Sequence, residues 1–114
     1  MDKSKAQARN RILIRAIDHY GEGSIGLRTI EALGECTQAL ARLRRSCVDK
    51  YGEDDVMDWI AESMAVTEIS FEALRVIMPG LAGRVDEWVE NKYRMLRQRL
   101  DIDDKSASAG GNEG

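Results

Sequence analysis

Four carboxylates on two stretches of the chain have a spacing that could hold a metal ion. Glu31 and Glu35 are four residues apart, and so are Asp58 and Glu62. Residues four apart on an α-helix lie on one face, so each pair could present both carboxylates in the same direction. Carboxylate oxygens suit the hard cations Mg²⁺ and Mn²⁺. The spacing predicts a divalent-cation site if the two faces meet, and four solvated surface acids if they do not.

The helices that would carry these acids are marked by apolar periodicity and by glycine. Apolar residues recur in steps of three and four, which is the period of an amphipathic helix. Clusters of glycine and the single proline, Pro79, interrupt that period. The pattern predicts helices over residues 5–20, 27–45, 54–78 and 82–100. No stretch alternates as a strand would, so the sequence predicts an all-α fold, a helical bundle of three to four long helices.

The third predicted helix carries apolar residues on more of its circumference than one neighbour can cover. Val56, Ile60 and Met64 follow one stripe, and Trp59 and Ile69 widen it. A stripe this broad indicates that several helices pack against it. The sequence therefore predicts that the bundle is completed by homo-oligomerisation.

The ordered domain is predicted to span residues 1–104. The remaining segment, 105–114, consists mainly of Ser, Ala, Gly and Asn. This composition is typical of a flexible terminus, and it predicts a disordered tail.

The overall composition excludes several classes of protein. Net charge is −3 and 43% of the residues are hydrophobic, which is typical of a globular protein without a general attraction for nucleic acid. No stretch approaches the roughly 20 apolar residues that a membrane helix needs. Cys36 and Cys47 lack a metal-binding spacing, and His19 is the only histidine. Free thiols indicate a reducing compartment, so the sequence predicts a cytoplasmic protein without membrane or nucleic-acid partners.

Four stretches in a fixed order carry a resemblance to a known family. They are AIDHYG at 16–21, IEALGECTQAL at 30–40, WIAESMAVTEI at 59–69 and NKYRMLRQRL at 91–100. Together they resemble phage-type MazG-like proteins over residues 15–100. The resemblance implies a MazG-like helical bundle that forms a dimer or a tetramer, in a phage or prophage setting. It also implies a Mg²⁺- or Mn²⁺-dependent hydrolase that cleaves a (d)NTP to the (d)NMP and pyrophosphate.

The resemblance also implies which residues form the site. In that family, acids on two helices hold the metal and basic residues of the last helix bind phosphate. Lys92 and Arg99 match those basic positions, which implies phosphate binding; the alternative is a solvated face that pairs with acids of its own helix. The four acidic positions fall in register on Ala32, Glu35, Ser63 and Val66, so one carboxylate remains.

This departure leaves two functions open. One carboxylate rarely holds Mg²⁺ without other ligands, so the first hypothesis is a non-catalytic module that binds a nucleotide or a protein partner. The second is an active (d)NTP pyrophosphohydrolase whose metal is held by Glu35 together with Glu31, Asp58 or Glu62.

Overall fold

The chain folds into five α-helices. A computed structural model describes residues 2–112, with side chains to residue 108. The helices are α1 Lys3–Tyr20, α2 Glu22–Ala41, α3 Arg45–Tyr51, α4 Glu53–Ile77 and α5 Leu81–Asn112. No strand occurs among these residues, which confirms the all-α prediction. Within the same range, none of the helices has an apolar stretch long enough to cross a bilayer.

Three glycines with positive φ separate the helices. Gly21 (φ 85°) divides α1 from α2, Gly52 (φ 91°) divides α3 from α4, and Gly80 (φ 86°) precedes α5. Residues with a side chain rarely adopt this left-handed region, so glycine is the expected residue at each break. At the other end of α1, the Asp2 carboxylate accepts a hydrogen bond of 2.9 Å from the backbone N–H of Lys5 and caps the helix.

The second predicted helix differs from the structure at both ends. The glycine-rich run after Tyr20 predicts a turn up to residue 26, but only Gly21 breaks the helix and α2 begins at Glu22. The prediction also extended this helix to Arg45, whereas α2 ends at Ala41 and a separate short helix, α3, begins at Arg45. One residue of positive φ is enough to reverse the chain, and the helix tolerates the later glycines at a modest cost.

α2 and α4 form the centre of the fold and run antiparallel. The guanidinium of Arg42, after the end of α2, lies 4.5 Å from the ring centre of Trp59, near the start of α4. Further along, the Thr67 hydroxyl oxygen lies 3.4 Å from the carbonyl oxygen of Ala32. From the first of these contacts to the second, the residue number rises on α4, from 59 to 67, and falls on α2, from 42 to 32. The two helices therefore run in opposite directions.

Small residues allow these two helices to approach closely. Ala32 and Ala39 on α2 and Val56 on α4 are buried in the contact. Thr67 and Ser63 are buried beside them, and their hydroxyls donate to the backbone carbonyls of Ser63 (2.8 Å) and Ile60 (2.9 Å) of their own helix. A buried hydroxyl that is satisfied by its own helix does not need a partner on the neighbour. The contact between α2 and α4 is therefore close, and its buried hydroxyls pack against α2 as apolar groups would.

The five helices belong to two compact units, which are described separately. In the first, residues 1–79, α1 packs on both α2 and α4, and α3 packs on α4 through an edge-to-face contact of Tyr51 with Trp59 at 5.2 Å. The second, residues 80–114, consists of α5. Trp88 and Leu96 on α5 are exposed.

The backbone of residues 105–112 continues α5, although composition predicts disorder for 105–114. Alanine, present at 107 and 109, has the highest helix propensity and favours this extension. Residues 113 and 114 lie outside the described residues.

Candidate functional site: two faces of the α2–α4 pair

Two surfaces flank the contact between α2 and α4. On a helix, each residue is turned by about 100° from the one before it. The residue before a contact position therefore points to one side of the pair, and the residue after it points to the other. Because α2 and α4 are antiparallel and face each other, the preceding residues of both helices point to the same side, and so do the following residues. One side holds a cleft with apolar walls and three charged residues, and the other an exposed apolar surface.

The cleft lies on the side that α1 covers and has a volume of about 340 Å³. α2 contributes Arg28, Glu31 and Glu35 to its lining. α4 contributes Val66 and α1 contributes Tyr20, among other residues. The structure thus brings together two of the four predicted metal ligands, Glu31 and Glu35, as their spacing on one helix face required.

Arg28 is a site residue that the sequence reasoning missed. Its guanidinium carbon lies 4.0 Å from the ring centre of Tyr20, which holds the cation at the cleft by a cation–π contact. The signal was available, because positions 28, 31 and 35 share one helix face by their spacing of three and four. The cleft therefore presents one fixed cation beside two carboxylates.

The other two predicted metal ligands do not join this cleft. Asp58 and Glu62 are exposed on α4 and are not part of the cleft lining. Among the side chains that the structure describes, no three His, Cys, Asp or Glu residues are grouped so that they could hold a metal ion. The four-acid site therefore stays a prediction: Glu62 precedes the buried Ser63 and so points to the cleft side of the pair, but only Glu31 and Glu35 line the cleft.

The positions at which the resembling family carries acids serve packing in this fold. Ala32 and Ser63 are buried, and Val66 lines the cleft next to Glu35. The Ser63 hydroxyl donates to the backbone of its own helix, so it is not directed at a ligand. Ala32 and Val66 therefore line the cleft without a side-chain oxygen, and Ser63 lies outside its lining.

Lys92 and Arg99, the predicted phosphate-binding residues, lie on α5 in the second unit. Both are exposed, and the Lys92 ammonium lies 5.7 Å from the ring centre of Trp88. Their role toward a phosphate stays a prediction.

The apolar surface lies on the opposite side of the α2–α4 pair; we call it the open face. α4 supplies Met57, Met64 and Phe71, whose side chains are 57%, 46% and 37% exposed. These three residues recur every seven positions, which keeps them on one side of the helix. Met78, which follows α4 with an extended backbone, is 52% exposed. α2 supplies Ile30, Leu33 and Leu40, all exposed, each one residue after a buried contact position.

The open face is large compared with the core that the first unit buries. Among the described residues, the buried apolar side chains are Ile25, Ala32, Ala39, Val56 and Ala73. None of these is larger than an isoleucine, whereas the open face consists of leucine, isoleucine, methionine and phenylalanine. Contiguous apolar surface of this kind marks an interaction site in stable proteins.

Comparison of the chain with protein-family models, with curated proteins and with solved structures finds no match.

Proposed function

We propose that the chain is a non-catalytic helical module that binds protein through the open face. The carrying observation is the line of Met57, Met64 and Phe71, which are exposed on one side of α4. Methionine is flexible and polarisable and adapts to a partner surface. Covering these side chains removes apolar surface from water, which is the main favourable term in protein association.

The composition of the cleft supports a non-catalytic role. Hydrolysis of a nucleoside triphosphate by the MazG-like route needs several carboxylates around the metal, and the cleft carries Glu31 and Glu35. A MazG-like scaffold that has lost its metal site but kept its packing would have this arrangement. Such a scaffold would function by binding partner proteins. The resemblance implies a phage or prophage setting for it.

A photo-cross-linker placed on the open face tests this function. Benzoylphenylalanine in place of Met64 should form a covalent adduct with protein on irradiation of cells that express the chain at native level. The same amino acid in place of Gln7, which is exposed on α1, is the matched control and should give much weaker adducts. Equal labelling from both positions, or no protein adduct from position 64, would contradict the proposal.

A second candidate function is the (d)NTP pyrophosphohydrolase that needs Mg²⁺ or Mn²⁺. The observation that favours it is the convergence of Glu31, Glu35 and Arg28 on one cleft, because two carboxylates could bind a cation and the guanidinium could bind a phosphate oxygen. Lys92 and Arg99 stay the phosphate-binding residues that the resemblance implies.

The two candidates predict opposite results in an assay of pyrophosphate release. For a non-catalytic module, the purified chain with Mg²⁺ or Mn²⁺ releases no more pyrophosphate from the four dNTPs than the Glu35→Ala variant does. For an enzyme, release depends on the metal and falls by about 100-fold or more in that variant, as expected when a metal ligand is removed. Isothermal titration with each metal, with and without a non-hydrolysable dNTP analogue, separates binding from turnover.

A further inference from the structure

α5 carries an apolar surface of its own, formed by two adjacent rows of side chains. Residues seven apart stay on one side of a helix, and α5 has Trp88 and Met95 in one row and Val89 and Leu96 in the other. All four side chains are exposed. The two rows form one apolar surface along the helix, which we call the α5 stripe.

A cation lies between the two rows of the α5 stripe. On a helix surface, the neighbours of a residue are those three and four positions away in each direction. For Lys92 these neighbours are Trp88, Val89, Met95 and Leu96, so none of them is an acid. The Lys92 ammonium lies 5.7 Å from the ring centre of Trp88, which places the charge over the stripe. Its own helix therefore offers Lys92 no carboxylate at the usual spacing for an ion pair.

Arg99 repeats this arrangement one heptad later. It follows Lys92 by seven residues, so the two cations lie on the same side of α5. Its neighbours at three and four residues include Leu96 and Ile102, and Asp103 is the one acid among them. The α5 stripe therefore contains two positive charges in line with its axis.

The acids of α5 between residues 81 and 102 lie away from the stripe. Each residue of a helix is turned by about 100° from the one before it, which places each of these acids about 120° or more from Lys92. They are Asp86, Glu87, Glu90 and Asp101. The helix thus separates its charges, with the positive ones among the apolar rows and the negative ones on the other side.

We infer that the α5 stripe binds a helix of another protein that carries carboxylates among apolar residues. The apolar side chains of that helix would cover the two rows, and two carboxylates seven residues apart would pair with Lys92 and Arg99. A buried cation without a partner is strongly destabilising, so polar residues within a helix–helix seam select the partner that pairs with them. This surface is separate from the open face, and the inference does not depend on the proposed function.

Other occupants of the α5 stripe would satisfy only part of it. In a parallel pair of two α5 helices, equivalent positions meet, so Lys92 would face Lys92 of the second copy. At a membrane surface, the middle of the apolar side is buried below the headgroups, and the two cations lie in that middle. A free phosphate would pair with the cations but leave Trp88 and Leu96 in water. An acidic amphipathic helix satisfies both the charges and the apolar rows.

The experiment compares two synthetic helical peptides of the length of residues 81–108, each with leucine along one seam. The first peptide has glutamate at two seam positions seven residues apart, and the second has lysine at the same two positions. Fluorescence anisotropy measures the binding of each labelled peptide to the full chain. The glutamate peptide should have a dissociation constant lower by about 30-fold or more, because like charges across an interface repel each other.

Two double variants show whether the cations of the stripe cause this preference. Lys92→Glu with Arg99→Glu should reverse it, so that the lysine peptide binds more tightly. Arg94→Glu with Arg97→Glu makes the same change of net charge on the same helix, and both residues are turned by about 140° or more from Lys92. This matched control should still prefer the glutamate peptide. Circular dichroism should show the same helix content for both variants.

Three results would overturn the inference. They are equal binding of the two peptides by the wild type, binding of neither peptide, and a preference that both double variants reverse. Displacement of the glutamate peptide by phosphatidylglycerol vesicles would assign the α5 stripe to a membrane surface and overturn it as well. Cross-linking from position 64 measures the open face, so the proposed function and this inference can fail separately.

Discussion

Met64→Glu is expected to abolish the binding of protein that we propose for the open face. Met64 is 46% exposed in the single chain, so a glutamate there remains hydrated before association. In a complex through this face the variant would bury one unpaired carboxylate, at a cost of several kcal/mol after relaxation. We expect the dissociation constant to rise by about 1,000-fold or more, which corresponds to about 4 kcal/mol. The yield of protein adduct from benzoylphenylalanine in place of Phe71, with and without Met64→Glu, measures this change in irradiated cells.

Met95→Glu is the matched control for this substitution. It makes the same chemical change at an exposed methionine of α5, away from the α2–α4 pair in sequence and unit. The control should leave the dissociation constant within a factor of about three, since surface substitutions usually change free energies by less than about 0.5 kcal/mol. An equal response of both variants would show that net charge, and not the open face, controls association.

Ala32→Leu is expected to have the largest effect on folding. Ala32 is 2% exposed, and its carbonyl oxygen lies 3.4 Å from the Thr67 hydroxyl. A leucine at this position forces α2 and α4 apart along their contact. Overpacking of a close contact typically costs about 1–3 kcal/mol of folding free energy. Urea denaturation at one fixed protein concentration should show this loss in the free energy of unfolding, with an unchanged slope.

The control for the folding prediction is Ala8→Leu. Ala8 is exposed on α1, so the longer side chain meets no neighbour and the free energy of unfolding should change by less than about 0.5 kcal/mol. If Ala32→Leu were as stable as Ala8→Leu, the close contact of α2 with α4 at this point would be wrong. The positions of the cleft and of the open face follow from that contact, so both would then be wrong as well.

The sequence predicted the helices best where a strong break marks their ends. The predicted helix over 54–78 matches α4, Glu53–Ile77, because Gly52 and the Pro79-Gly80 pair border it. The start of α2 and the separate α3 were missed. Composition alone does not reveal which glycine of a run adopts positive φ, since that choice depends on the contacts that the next helix makes.

The site was predictable only as far as it lies on one helix. The spacing of Glu31 and Glu35 places them on one face, and both line the cleft. Whether that face also meets Asp58 and Glu62 depends on the rotation of α2 and of α4 about its own axis in the packed pair. That rotation depends on which residues of each helix are buried in the contact, such as Ala32 and Ser63. The breadth of the apolar stripe on α4 predicted several neighbours, and in the structure α4 packs on α1, α2 and α3.

The central claim is that the open face binds protein, and photo-cross-linking along α4 tests it most directly. Benzoylphenylalanine is placed singly at Met57, Met64 and Phe71, and at Gln7 on α1 as the control. On irradiation of cells that express the chain at native level, each of the three open-face positions should form covalent adducts with protein, and position 7 should form much weaker ones. Absence of protein adducts from all three open-face positions in folded protein, or equal labelling from position 7, would contradict the claim.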